Sequence, residues 1–377
     1  MEFKPDWKKT RQRFVEFWEG RNEERALIAA GAYNERFDPS YYHENLSIDR
    51  FSDDDAVSIK HWWCDAGENV KRFEYLCKTR HYAGETLPIA FTNWGAMALC
   101  SFMGCDPVFK KTDVWYRKTI HDWDDWRWEF DETGNEFYKS TMEITAAFAE
   151  MGAGRYFAGM PELGGAGDVL SLMRGMDDLC LDLYDNPEPL RAAIDYLTGQ
   201  FLAVQETLYE IIKPTNDGGG TLPWMSLWMP GKNGNQVACD FSSVISNDSF
   251  EQFFTEAVAT EADWSDYAVY HLDGPACMKN HLDWLLGFDD LKAIEWTPGA
   301  GCLPATAREY FPAYRKILDR GKRLVIQVMP EEVDTITKEL PPDGLFLTTW
   351  ARTSEEADNC VKTAAANAKL HRRGVFA

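Results

Sequence analysis

Short runs rich in β-branched and aromatic residues alternate with amphipathic helical stretches along most of the chain, and this alternation limits the fold more than any other feature. The runs are 26–33, 87–94, 155–163, 221–228, 267–273, 291–297, 323–329 and 345–350, eight in all. The stretches between them carry helix punctuation. Asn186-Pro187 places a cap and a first-turn proline before Leu190, Ile194, Leu197, Phe201, Val204, Leu208 and Ile211, which recur at spacings of three and four. Asp248 with Glu251, and Thr353 with Glu356, have the spacing of capping pairs. Gly321 follows an apolar helical face made by Tyr310, Tyr314, Ile317 and Leu318. Strand–helix alternation predicts a parallel sheet with right-handed crossovers. No GxGxxG follows the first run, which argues against an open doubly wound sheet. Eight runs suit a closed ring. The expected fold is α/β, a single (β/α)8 TIM barrel with an N-terminal helical extension. Residues 1–377 would form one domain, with 1–80 as the extension packed on the barrel, since no linker or low-complexity stretch interrupts them.

Charge narrows the partners. Sixty-one acidic against 39 basic side chains give a net charge of −22, which repels nucleic acid and disfavours polycarboxylate substrates unless a local arginine cluster overrides the field. No run of 18 apolar residues is present to span a membrane. The N-terminal MEFKPDWKKTRQRF lacks the apolar core of an export signal, and nine scattered cysteines without a CxxC pair read as reduced thiols. Together these predict a cytoplasmic protein acting on a small molecule.

In α/β barrels the chemistry gathers at the C-terminal ends of the strands. Those ends carry Asn93-Trp94, Glu162, Trp228, His271 with Asp273, Glu295-Trp296, Met329 and Trp350. A single polar residue there is commonly a cap, but carboxylates and indoles on most strand ends suggest a site. His271 and Asp273 stand two apart in Tyr270-His271-Leu272-Asp273-Gly274-Pro275, so both face the same side of one strand. Such a pair can exchange a proton, ligate a metal or clamp a hydroxyl. A third ligand would have to come from another strand end.

Three segments then resemble a known family: 239–246 (CDFSSVIS), 270–275 (YHLDGP) and 295–301 (EWTPGAG) are similar to the uroporphyrinogen-decarboxylase superfamily. They are closer to its decarboxylase-like branch, which is related to corrinoid-dependent methyltransferases. Residues 90–95, Phe102-Met103-Gly104, Val114-Trp115 and the stretch from Leu172 to Met176 fit that branch as well. The resemblance runs from about residue 85 to the C-terminus and implies a (β/α)8 barrel. Against the true decarboxylases, Asn93 stands where an aspartate would hold the pyrrole nitrogens, and 29–34 lacks their Arg-x-x-x-Arg motif. Against the methyltransferases, whose zinc takes a His-x-Cys and a distant Cys, Asp273 replaces the first thiol, while Thr348, Thr349 and Trp350 stand where the second would be. An oxygen-rich metal site, with Glu295 or Asp240 joining His271 and Asp273, stays open.

The expected function is methyl transfer from a small methylated amine or methoxyl compound to a thiol, or to a corrinoid carried by a partner protein, with zinc as a further candidate cofactor. His271, Asp273, Glu295 and Asp240 are the candidate catalytic residues. Asn93, Glu162, Trp94, Trp228, Trp296 and Trp350 are the candidate substrate-binding residues, the four indoles as an aromatic cage. Two other readings stay open: a sugar-directed enzyme or binding protein using the same carboxylates and indoles, and a barrel whose site has decayed into ligand sensing. True uroporphyrinogen decarboxylation is the least favoured.

Overall fold

The computed structural model describes residues 1–374 except 23 and 129. Its strands are β1 (Leu27–Tyr33), β2 (Arg80–Gly84), β3 (Ile89–Ala90), β4 (Pro107–Phe109), β5 (Val114–Tyr116), β6 (Phe157–Ala158), β7 (Gly220–Leu222), β8 (Leu227–Met229), β9 (Val237–Ala238), β10 (Ala268–Asp273), β11 (Leu291–Thr297), β12 (Arg323–Gln327) and β13 (Leu345–Trp350). The architecture is mixed α/β, as the alternation predicts. One seven-stranded sheet runs in the order β2-β1-β13-β12-β11-β10-β9, and all its pairings are parallel except β2 against β1.

The expected closed ring is not seen. Among the described residues, β3 and β6 pair only with each other, and the main sheet ends at β2 and β9. Local hydrogen bonds account for both gaps. On one side β2 occupies the free edge of β1. There the Glu85 amide donates to the Ile28 carbonyl at 2.7 Å and the Ile28 amide to the Glu85 carboxylate at 2.8 Å. On the other side the Asn216 side chain accepts from the Ala158 amide at 3.1 Å and donates to its carbonyl at 2.6 Å, so β6 meets a side chain where a strand would pair.

Residues 221–228 also differ from the expected strand. Instead of a core strand they make the antiparallel hairpin β7–β8, turning at Pro223–Ser226, where Ser226 has φ +53°. A proline inside an apolar run demotes it as a central strand, and here it opens the turn. The parallel position beside β10 goes to β9. The helices follow their punctuation more closely. Pro187 begins the helix Pro187–Ile212, whose buried face holds Leu190, Ile194, Leu197, Phe201, Val204 and Leu208. Thr353 caps Ser354–Arg372 through the Glu356 amide, and Gly321 (φ +74°) stops Phe311–Asp319. Ser246, rather than Asp248, caps the helix at 247–253, through the Ser249 amide.

One apolar cluster fixes the polarity of the sheet. Leu27, Ala29, Ile89, Phe157, Val269, Ala293, Val325 and Phe346 pack together on the inner face with Phe14, Phe17 and Trp18 of the helix Trp7–Trp18 and with Trp228. These side chains plug the face at the end where the parallel strands begin. Continuing two residues along each strand leads to Gly31, His271, Glu295, Gln327 and Thr348, a polar layer above the plug. The larger cluster, between the outer face and the helices, includes Ile28, Tyr270, Leu272, Ile294, Trp296, Ile326 and Leu347.

Candidate functional site

Alternation along β10 and β11 turns His271 and Glu295, neighbours in register, toward the polar layer. Glu295 is almost fully buried, and its two oxygens are engaged separately. One meets His271 Nδ1 in a short contact, and the other accepts from the Thr297 hydroxyl at 2.9 Å. The second imidazole nitrogen, Nε2, lies 3.9 Å from the Asp240 carboxylate. Burial lowers the basicity of His271, but the Glu295 bond and the charges of Glu295, Asp240 and Asp273 outweigh it and raise the pKa to about 9. His271 is an imidazolium at neutral pH.

Asp240 heads a short turn that directly follows β9. That turn is anchored from behind by fully buried Asp168, whose carboxylate accepts from the Phe241 amide at 2.9 Å. Desolvation pushes Asp240 up to about 6 and, with the charge of Asp240 added, Asp168 up to about 7. Glu162, in the loop after β6, accepts from the Gln236 side-chain amide, and burial raises its pKa. Gln236 in turn accepts from the Trp224 indole at 3.3 Å, and Trp224 stands edge-on to His271 with centroids 5.4 Å apart. Asp273 stands at the N-cap position of the helix Gly274–Leu286, at the end of β10 and beside Gly299, with no side-chain bond to the helix amides. An imidazolium is therefore ringed by carboxylates at the polar end of the sheet.

The indole cage does not form. Trp94 is buried among Phe109 and Phe137 and donates to the Trp63 carbonyl. Trp228 lies in the apolar plug, edge-on to Trp7, with its nitrogen on the Asn216 carbonyl. Trp296 alternates away from Glu295 and packs on Tyr310 under the outer helices. Trp350 alone of the four is at the polar end, 46% exposed, flat against Gly31 where a Cβ would meet its ring at 2.6 Å. Asn93 is exposed, closes a turn onto the Gly95 amide, and makes no side-chain bond to the carboxylates among the described residues.

Sequence reasoning did not single out Trp224, Gln236 and Asp168. The Pro223-Trp224 turn was the available signal for the first. The others are ordinary loop or helix residues that the tertiary fold alone brings to the site.

Among the described residues, no three His, Cys, Asp or Glu side chains are placed to share a metal ion. Cys277 hydrogen-bonds Ser242 and is held as a thiol by burial, and Cys239 is buried in the core. The donor set does not fit the thiolate-bound zinc that the motif resemblance implies.

The chain matches no family profile and no curated protein. Among solved structures it superposes on a methyltransferase from Methanosarcina mazei with a TM-score of 0.61, covering 96% of this chain and 99% of that one at 13% identity. What the two share is the fold. At that identity the likeness does not carry a substrate, an acceptor or a catalytic residue across.

Proposed function

We propose that the chain is a methyl-transfer enzyme, a cytoplasmic single domain built on an opened relative of the uroporphyrinogen-decarboxylase-like barrel. The observation that carries the reading is His271, held charged between buried Glu295 and Asp240 above an apolar plug. Breaking a methyl–oxygen bond needs a proton for the departing oxygen and a nucleophile for the methyl carbon. In this reading the Nε2–H of His271 supplies the proton. The C–O electron pair passes to oxygen, the proton joins it as an alcohol, the acceptor's electron pair forms the new bond to carbon, and a thiol acceptor returns its own proton to the neutral imidazole. Glu295 stabilises the imidazolium from behind and fixes which nitrogen faces the substrate. With a cationic methylated amine the C–N electron pair stays on nitrogen as the neutral amine and no proton is needed; Asp240 and Glu162 would then attract the cation, while Trp224 and Trp350 offer aromatic faces to its methyl groups. The acceptor is a thiol or a corrinoid on a partner protein, arriving from the open end of the site.

A thermal-shift screen of methoxyl compounds and methylated amines against neutral sugars tests this. Stabilisation by the methylated compounds, abolished when Asp240→Asn is combined with Glu162→Gln, supports methyl transfer. Stabilisation by neutral sugars alone overturns it in favour of glycosidic chemistry, for which a raised carboxyl and an indole platform also serve.

A further inference from the structure

A cavity of about 620 Å³ opens where β1 ends and β2 begins, faced by Asn34, Arg36, Lys78, Arg80, His81 and Ser354. Its charge is opposite to that of the molecule. Among the described residues, Arg36, Lys78 and Arg80 have no carboxylate within ion-pair distance. Arg80 Nε is buried without a hydrogen-bond partner, although its guanidinium lies 5.3 Å from the centroid of Trp350. The other charges on the wall are largely matched. His81 Nε2 is 2.8 Å from Asp358, and Glu2 accepts from Arg155 at 2.7 Å, leaving Glu35 as the carboxylate without a partner among the described residues.

The backbone that carries these cations is also fixed. The Asn34 side chain donates to the carbonyls of Lys78 at 3.2 Å and Arg80 at 3.1 Å, and it accepts from the Arg36 amide at 2.9 Å. One asparagine thus ties together the backbone from which all three cations spring. Ser354 opens a 19-residue helix, whose positive end adds to the local field. A chain with 22 excess negative charges gains nothing in solubility from three uncompensated cations around a cavity. The Arg80 side chain, on the cavity wall, has no carboxylate partner among the described residues, so its charge is open to an anion in the cavity.

The geometry points to a binding site for an oxyanionic small molecule in this cavity, its carboxylate or phosphate group held by Arg80, Arg36 and Lys78. Arg80 links the site to Trp350 and so to the polar end of the sheet. The guanidinium fork suits a two-oxygen anion better than halide. This site stands on different residues from the proposed methyl-transfer chemistry and does not depend on it.

Calorimetric titration of the full chain with inorganic phosphate, and separately with succinate at constant ionic strength, tests the site. Saturable binding of either anion is expected, weakened at least tenfold by Arg80→Gln and by the double variant Arg36→Ala/Lys78→Ala. A Lys8→Ala/Lys9→Ala control on the N-terminal helix should bind as the parent does. Tighter phosphate identifies a phosphate ester as the ligand class, and tighter succinate a carboxylate. If Arg80→Gln does not fold, the surface double variant decides alone. No saturation by either anion, or unchanged affinity in the double variant, overturns the proposal.

Discussion

His271 does more for the fold than a rim residue ordinarily does, because Glu295 behind it has almost no access to water. His271→Ala leaves that carboxylate buried and unpaired, and removing one partner of such a pair costs about 3–5 kcal/mol. The double variant His271→Ala/Glu295→Gln should recover most of the loss in urea denaturation, while still lacking the proposed proton donor and so showing no methyl transfer. Glu295→Gln alone should lower the His271 titration well below 9, since burial then acts against fewer charges. An NMR titration that still finds the imidazole near 9 would remove Glu295 as the cause. The alternation of Tyr270-His271-Leu272-Asp273 made this part of the site legible in sequence, and Glu295 followed from the same rule one strand over. The indoles were not legible. A tryptophan at a strand end points inward or outward by one residue of register, and Trp296 sits one residue past Glu295 on the wrong side.

Among the elements, β1 depends on one buried charge cluster. Glu85 is fully buried, receives both guanidinium nitrogens of Arg25 at 2.7 Å, and also accepts from Arg13 and the Ile28 amide. Burial alone would raise its pKa, but these partners hold it down at about 2. Glu85→Gln keeps the shape and strands two arginines, so a loss of about 3–5 kcal/mol is expected in chemical denaturation. Phe346→Ala, in the plug, should cost a similar 3–5 kcal/mol by leaving a cavity, with no change in ligand affinity at the opposite end of the strands. A Phe346 variant that lost ligand binding and kept its stability would contradict the division between plug and polar layer. The long strands and the capped helices were readable because their periodicity persists over several residues. Strand β9, two residues long, is too short to show any period, and the eight-run count assigned its place to 221–228. That the ring stays open was unreadable for a related reason. The two gaps turn on single hydrogen bonds from Glu85 and Asn216, which no hydrophobic pattern records.

For the whole molecule, the buried titratable groups mostly push stability in one direction with pH. Burial lifts Asp240 to about 6, Asp168 to about 7 and Glu261 to about 8, and the charges around His271 lift it to about 9. Each holds its proton more tightly folded than unfolded. Each therefore contributes stability that is complete below its unfolded pKa and lost as pH rises through the folded value. For the three carboxyls that window opens near pH 4 and closes near 8, and for His271 it runs from 6.5 to about 9. Glu85 has the opposite sign, since its contribution is present above 4.5 and lost as pH falls toward 2. The surface agrees with the majority, because a net charge of −22 at pH 7 grows more repulsive as the remaining protons leave. Calorimetry across pH should therefore find the highest Tm near pH 5 and a steady fall toward pH 9. Added salt should raise Tm more at pH 8 than at pH 5, because it screens the surface part of that repulsion. Glu261→Gln should flatten the upper part of the fall, since its buried oxygen without a hydrogen-bond partner would then carry no charge to desolvate. A Tm that stayed level or rose between pH 5 and 8 would mean that these acids lose their protons as readily folded as unfolded, and the carboxylate ring around His271 would then be matched by charges from elsewhere.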